Sequence, residues 1–181
     1  MVSLDLIRGN PFFADLSTEQ ITILAQTAEE VMVEAEQYFF HEGDELDCFY
    51  IVIEGQVGIL VDVPDPAVSQ PVSRQLTGNL ITKEVVVATV EPGEMFAWSA
   101  LVPPHQATSS AKTLTPCRVI AFDCRELRTS FEENYALGYL MMLKATLIIR
   151  ERLRAMRVES ISDILAEKGE QKEPTLQAIV R

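Results

Sequence analysis

Positive charge is scarce in this chain. Fifteen lysines and arginines face 27 aspartates and glutamates, leaving a net charge of −12 over 181 residues. That balance excludes the usual nucleic-acid footprint, which needs clustered Lys and Arg on phosphates. It also argues against docking on acidic membranes. Cysteine is sparse too. Cys48, Cys117 and Cys124 are odd in number and show no CxxC or Cys/His ligand spacing, so neither a disulfide framework nor a zinc site is expected. Cys48 and Cys117 fall in strand-like runs, where small buried thiols are common. Only two histidines occur, His41 and His105. They form no metal-binding motif, and no nucleophile elbow is present, so no enzyme is expected.

Long apolar runs are missing as well. The longest near the end, YLMMLKATLII, is broken by Lys144 and Thr146 and falls short of a membrane span. The opening MVSLDLIRGN has no apolar core behind a basic start. A cytoplasmic location is expected. The acidic turn with Glu42, Asp44, Glu45 and Asp47 lacks EF-hand spacing and a closing glutamate, and reads as a solvated turn rather than a cation site.

What is present is a folded composition, 48% hydrophobic and 23% charged, enough for one ordinary domain with a core. Ser17 followed by Gln20 is a capping-box spacing, and Ile21, Leu24, Ala25 and Ala28 continue at helical intervals. A short amphipathic helix is expected over residues 17 to 30. From Val31 to Ile59 the period shortens. VMVEAEQYFF, CFYIVIEG and QVGIL are β-branched and aromatic runs punctuated by Gly43-Asp44 and Glu54-Gly55, as in an all-β roll or sandwich. Residues 62 to 82 hold three prolines and many polar residues and read as an extended hairpin loop. Strands resume through KEVVVATV, SSAKTL and CRVIAFD. The last third is helical, and Met142, Thr146, Ile149, Leu153 and Met156 form a seam of about two heptads, enough for a dimer contact. Leu137, Leu140, Met141 and Ile148 lie on a neighbouring face suited to packing on the β-roll. Both faces packing within one domain is the plainer alternative. The tail from 161 to 181 is polar and interrupted by proline.

Several stretches resemble one family. NPFFADLS looks like an opening helix signature. Phe40, Glu42, Gly43, Asp44, Asp47, Tyr50, Gly55 and Val57, within FFHEGDELDCFYIVIEGQVGIL, follow a Phe-x-Glu-Gly-Asp, Asp-x-x-Tyr, Gly-x-Val pattern. VEPGEMF and CRVIAFD match later strands. Together these resemble the cyclic nucleotide-binding domain, including the sensor domains of catabolite-activator-type and fumarate-nitrate-regulator-type transcription factors, over residues 10 to 155. The resemblance implies a mainly β fold with flanking α: a double-stranded β-helix, or jelly-roll-like β-roll, with a short N-terminal helix and a long C-terminal helix. The boundaries it suggests are 1–125 for the β-roll with its N-terminal helix, 126–160 for the dimerisation helix and 161–181 for the tail.

It also implies a ligand cassette, which in the family reads Phe-Gly-Glu-x-Ala-Leu, then Pro-Arg-x-Ala-Thr. There the glutamate takes the ribose hydroxyl and the arginine takes the cyclic phosphate. Here the frame reads Phe96, Ala97, Trp98, Ser99, Ala100 and Leu101, then Pro104, His105, Gln106, Ala107 and Thr108. Trp98 stands where the acid would be, and His105 stands where the arginine would be. A charge-assisted bond to phosphate contributes about 1.5–3 kcal/mol, and a neutral imidazole replaces it poorly. With the sugar acceptor lost as well, affinity for a cyclic nucleotide such as cAMP should fall by ~100-fold or more. A shifted register would make Glu94 the sugar acceptor, still without an arginine.

The expectation is therefore a non-enzymatic regulatory or sensor module with an altered pocket. Its ligand contacts would be Phe96, Ala97, Trp98, Ser99, Ala100, His105, Gln106, Ala107 and Thr108. It would have no metal or resident cofactor, would bind a small molecule and would form a homodimer. Two alternatives stay open: a sensor fragment of a transcription regulator, or a structural dimerisation module with a vestigial pocket. Only about 25 residues follow the seam, too few for a helix-turn-helix with its wing, so this chain itself is not expected to bind DNA.

Overall fold

The computed structural model describes residues 2–170. Among these, eight strands form two four-stranded sheets in which every pairing is antiparallel. One sheet runs β1 (Ala28–Val33), β8 (Cys117–Asp123), β3 (Cys48–Glu54) and β6 (Met95–Phe96). The other runs β2 (Tyr38–Phe40), β7 (Ser110–Thr113), β4 (Val57–Pro64) and β5 (Thr82–Val90). This is the β-roll with flanking helices that the motifs imply. Short helices α1 (Leu4–Arg8) and α2 (Thr18–Gln26) precede it, and α4 (Cys124–Glu133) and α5 (Tyr135–Glu170) follow. Residues 2–142 form one compact unit, and from residue 143 onward the chain forms a second.

The capping box at α2 is realised in full. Gln20 N donates to Ser17 Oγ at 3.2 Å, and Ser17 N donates to Gln20 Oε1 at 2.9 Å. The helix nevertheless ends at Gln26 rather than near residue 30, because Ala28 to Val33 pair along β8 in register Ala28↔Phe122 to Val33↔Cys117. Glu29, Glu30 and Val31 fit a helical or an extended backbone, and the long-range ladder decides between them.

The first core lies between the N-terminal segment and the β1–β8–β3–β6 sheet. Phe13, Phe49 and Phe122 are essentially inaccessible, with the Phe49 and Phe122 rings stacked at 4.6 Å and Phe13 5.4 Å from Phe122. A second aromatic cluster sits at the end of β6, where Phe96 lies 5.0 Å from both Phe39 and Tyr50.

Three expectations need correction. The hairpin between β4 and β5 is not simply extended, because it carries a short helix, α3 (Val72–Thr77), that ends at left-handed Gly78. Ser73, Arg74 and Gln75 suit a helix once prolines are confined to its edges. Next, the C-terminal helical region starts at Cys124 and is interrupted at Asn134, so 126–160 is not one helix. Asp123 caps α4 by accepting from Arg125 N and Glu126 N. Asn134 then leaves helical geometry and accepts from Leu137 N, starting α5. Finally, α5 runs to Glu170, into the stretch expected to be tail. The rest of that stretch, 171–181, lies outside the described residues.

On α5, Leu137 and Met141 are buried and Leu140 is half-buried. Met142 is half-buried, while Thr146, Ile149, Leu153 and Met156 are exposed. Among the described residues, no helix is long and apolar enough to cross a membrane.

Candidate functional site

The segment expected to bind ligand begins where β6 ends. Gly93, at φ 92°, turns the chain after Pro92, and its N–H donates to Val52 O at 2.8 Å. Glu94 belongs to this turn: its carboxylate accepts from Glu91 N at 2.8 Å. Glu94 is thus a turn-closing residue.

Phe96 is fully buried in its aromatic cluster, and Ala97 then adopts a left-handed conformation at φ 61°. Ala97 precedes a single 3₁₀ turn, Trp98–Leu101, held by Ala100 N to Ala97 O at 3.1 Å and Val102 N to Ser99 O at 3.3 Å. The Pro103-Pro104 peptide is cis, and His105 is again left-handed at φ 61°. Two non-glycine residues with positive φ within ten positions mark a backbone held by its surroundings rather than by local preference.

Those surroundings are identifiable. The turn after β2 is zipped onto the second half of the segment. Gly43 N donates to Ala107 O at 2.9 Å, Ala107 N to Asp44 O at 2.8 Å and Leu46 N to His105 O at 2.7 Å, with a bridge between Glu45 and Gln106. Ser110 Oγ accepts from Glu42 N at 3.0 Å. The glycine turn read as a fold signature therefore also carries the candidate loop.

Inside the segment, His105 Nδ1 lies 3.1 Å from Ala100 O. Because a carbonyl only accepts, Nδ1 carries the proton, and a neutral ring leaves Nε2 as acceptor. The same oxygen also accepts from Arg128 Nη1 at 3.0 Å. Arg128 is a half-buried residue of α4 that the motif reading passed over. Sequence distance hid it, since nothing in RELRTS points back to residue 100.

The structure thus joins Ala100, His105 and Arg128, and buries Ala97, Ala100 and Ala107. Trp98 and Ser99 are half-buried, while Gln106 and Thr108 are exposed. A cavity of about 420 Å³ opens beside the zipped turn and is lined by Phe39, Phe40, Leu46, Cys48 and Tyr50 with Asp44, Glu45 and Asp47. None of the nine expected contacts lines this cavity. Burial pushes the Tyr50 hydroxyl up to about 12, so the ring offers a neutral O–H there. Burial likewise raises the Cys124 thiol to about 12, leaving it unreactive at neutral pH. Among the described residues no cluster of metal-ligating side chains occurs.

The roll has counterparts in known proteins. The cyclic nucleotide-binding domain family matches residues 30–134, more than half the chain. This chain belongs to that family. A Geobacter metallireducens protein provisionally named a cyclic nucleotide-binding protein is similar at 29% identity and TM-score 0.67, covering 84% of this chain and 99% of its own. The N-terminal domain of a Streptomyces coelicolor transcriptional regulator is similar at 26% identity and TM-score 0.59, covering 84% and 95%. The sensor domain of the transcriptional regulator DNR from Pseudomonas aeruginosa shares the fold at 18% identity and TM-score 0.59, over 83% and 90%. No curated protein matches the sequence. By its family the chain is thus a cyclic nucleotide-binding-like domain.

Proposed function

We propose that this domain is a non-enzymatic sensor whose cassette, residues 96 to 108, takes a small molecule other than a cyclic nucleotide and binds cAMP weakly or not at all. It works as a cytoplasmic homodimer, without direct contact to nucleic acid or membrane. The observation that carries the reading is the contact of His105 Nδ1 with Ala100 O at 3.1 Å. In the frame that the family resemblance implies, His105 takes the place of the phosphate-binding arginine and Trp98 that of the sugar-binding acid. One ring nitrogen is left for a ligand, and when neutral it accepts rather than donates. Such a group suits a hydroxyl or amide better than a phosphodiester.

Thermal unfolding against a panel of cAMP, cGMP, neutral sugars and amides, and small acids tests this. A ligand present at 100 times its Kd stabilises by about 2.7 kcal/mol. Micromolar cAMP or cGMP is expected to leave the midpoint unmoved. A rise with micromolar cAMP that is lost in Trp98→Ala would overturn the reading.

The homodimer draws support from the exposed seam on α5, where Ile149, Leu153 and Met156 are 39%, 47% and 58% exposed. Apolar side chains at heptad spacing on an exposed face favour association with a second helix. Sedimentation velocity is expected to show a dimer that Ile149→Glu converts to monomer. A wild type that sediments as a monomer at tens of micromolar (the range of ordinary domain association) would remove this part.

A further inference from the structure

The cassette has lost its own cation, yet a guanidinium reaches it from another element. Arg128 sits on α4, which is anchored by buried Cys124 and Leu127. From there Nη1 donates at 3.0 Å to Ala100 O, the oxygen that also faces His105 Nδ1 at 3.1 Å. Ala100 is the third residue of the 3₁₀ turn, and its N–H is already bonded back to Ala97 O. Its peptide planes are therefore held on both sides, within the segment through the N–H and from α4 through the carbonyl.

A neutral carbonyl with two lone pairs accepts two donors without strain, and one of these donors carries full charge. The left-handed residues Ala97 and His105 flank this point. A loop holding two such residues needs external fixing: the turn around Gly43 supplies it at His105 and Ala107, and Arg128 supplies it at Ala100.

We infer that Arg128 is the positioning residue of the cassette. It sets the orientation of the Ala100 peptide jointly with His105, and it ties the cassette to α4. Either donor alone keeps the oxygen satisfied, so the two share one duty. The tie continues toward α5, because α4 ends at Asn134 and Gly138 then packs against Phe131. A Cβ on Gly138 would lie 3.0 Å from that ring's Cβ. A shift of the 3₁₀ turn therefore pulls on α4 through a charged hydrogen bond. This assignment concerns the unliganded loop and stands whatever the cassette binds.

The experiment is a double-mutant cycle on the ligand-free protein. The variants are Arg128→Gln, His105→Ala and the pair, read by amide hydrogen exchange at Ala100, Val102 and His105 and by emission of Trp98, the sole tryptophan. Each single variant is expected to speed exchange in the segment by about threefold or less, since one donor remains. The pair should speed it on the order of tenfold beyond the product of the singles, the size of one lost charge-assisted bond. Trp98 emission should shift clearly in the pair alone, and exchange in β3 and β8 should stay at the wild-type rate. Multiplicative singles, or acceleration spread evenly over the strands, would show a merely packing arginine and overturn the assignment. If Arg128→Gln does not fold, Arg128→Met, which keeps an apolar stem and carries no donor, takes its place in the cycle under the same criteria. A cyclic nucleotide that stabilises the protein in the panel above would leave this outcome untouched, so the two proposals fail separately.

Discussion

Gly55→Ala is expected to lower the thermal midpoint by roughly 6 °C or more, or to prevent folding. Gly55 joins β3 to β4 at φ 87°, in the left-handed region. An alanine there costs about 1–2 kcal/mol from the backbone conformation alone. Space adds a second cost. A Cβ at this position would lie 2.3 Å from Pro116 O, 2.8 Å from Cys117 Sγ and 3.0 Å from Cys117 Cα. Two of those neighbours are backbone atoms that cannot rotate away. They are also pinned by the turn's own bonds, Gln56 N to Thr115 Oγ1 at 2.9 Å and Leu114 N to Gln56 O at 2.9 Å. Separating the turn from the start of β8 would break these. The combined cost exceeds about 3 kcal/mol, a large share of the 5–15 kcal/mol that holds an ordinary domain. At about 2–4 °C per kcal/mol for a chain of this size, the shift is easily read by calorimetry. Gly43→Ala is the internal control. Its φ is 88°, but nothing lies within 4 Å of an added Cβ, so only the conformational cost applies and the drop should be a few degrees. Equal effects at the two glycines would show that space plays no part at Gly55.

Phe122→Ala should cost about 3–5 kcal/mol, the range for a large aromatic removed from a core that cannot collapse. Phe122 has no accessible surface, stacks on Phe49 at 4.6 Å with an interplanar angle of 10°, and meets Phe13 at 5.4 Å. It sits on β8, whose backbone pairs on both sides, with Ala28 of β1 and Phe49 of β3. The strand cannot move inward to fill the void without breaking one of these ladders. The urea midpoint is expected to fall by more than about 1 M, given slopes of about 1–3 kcal/mol/M. Phe122→Leu keeps most of the volume and should lose less than half as much. A midpoint within error of wild type in Phe122→Ala would mean that the N-terminal segment does not rest on this sheet.

Local signals proved readable where the chain decides locally. Ser17 and Gln20 announced the start of α2, and the capping box formed as spaced. Gly43 and Gly55 announced reversals, and both have positive φ. CFYIVIEG and QVGIL became β3 and β4, but VMVEAEQYFF is divided at Glu36, φ 62°, between β1 and β2 of different sheets. The cassette frame over residues 96–101 and 104–108 is what the family resemblance implies, not something its composition shows. Arg128 was invisible because its partner carbonyl lies 28 residues away and any surface helix carries such an arginine.

The amino-acid order by itself determined the strand-and-turn rhythm and the helix start at Ser17. Each depends on neighbours within a few positions, where side-chain shape and backbone preference act directly. Only the tertiary structure decided that α2 stops at Gln26, that the Gly43 turn is sewn to His105 and Ala107, and that Arg128 meets Ala100. In each of these, hydrogen-bonding groups far apart in the chain must satisfy one another, and which ones meet depends on how the two sheets close.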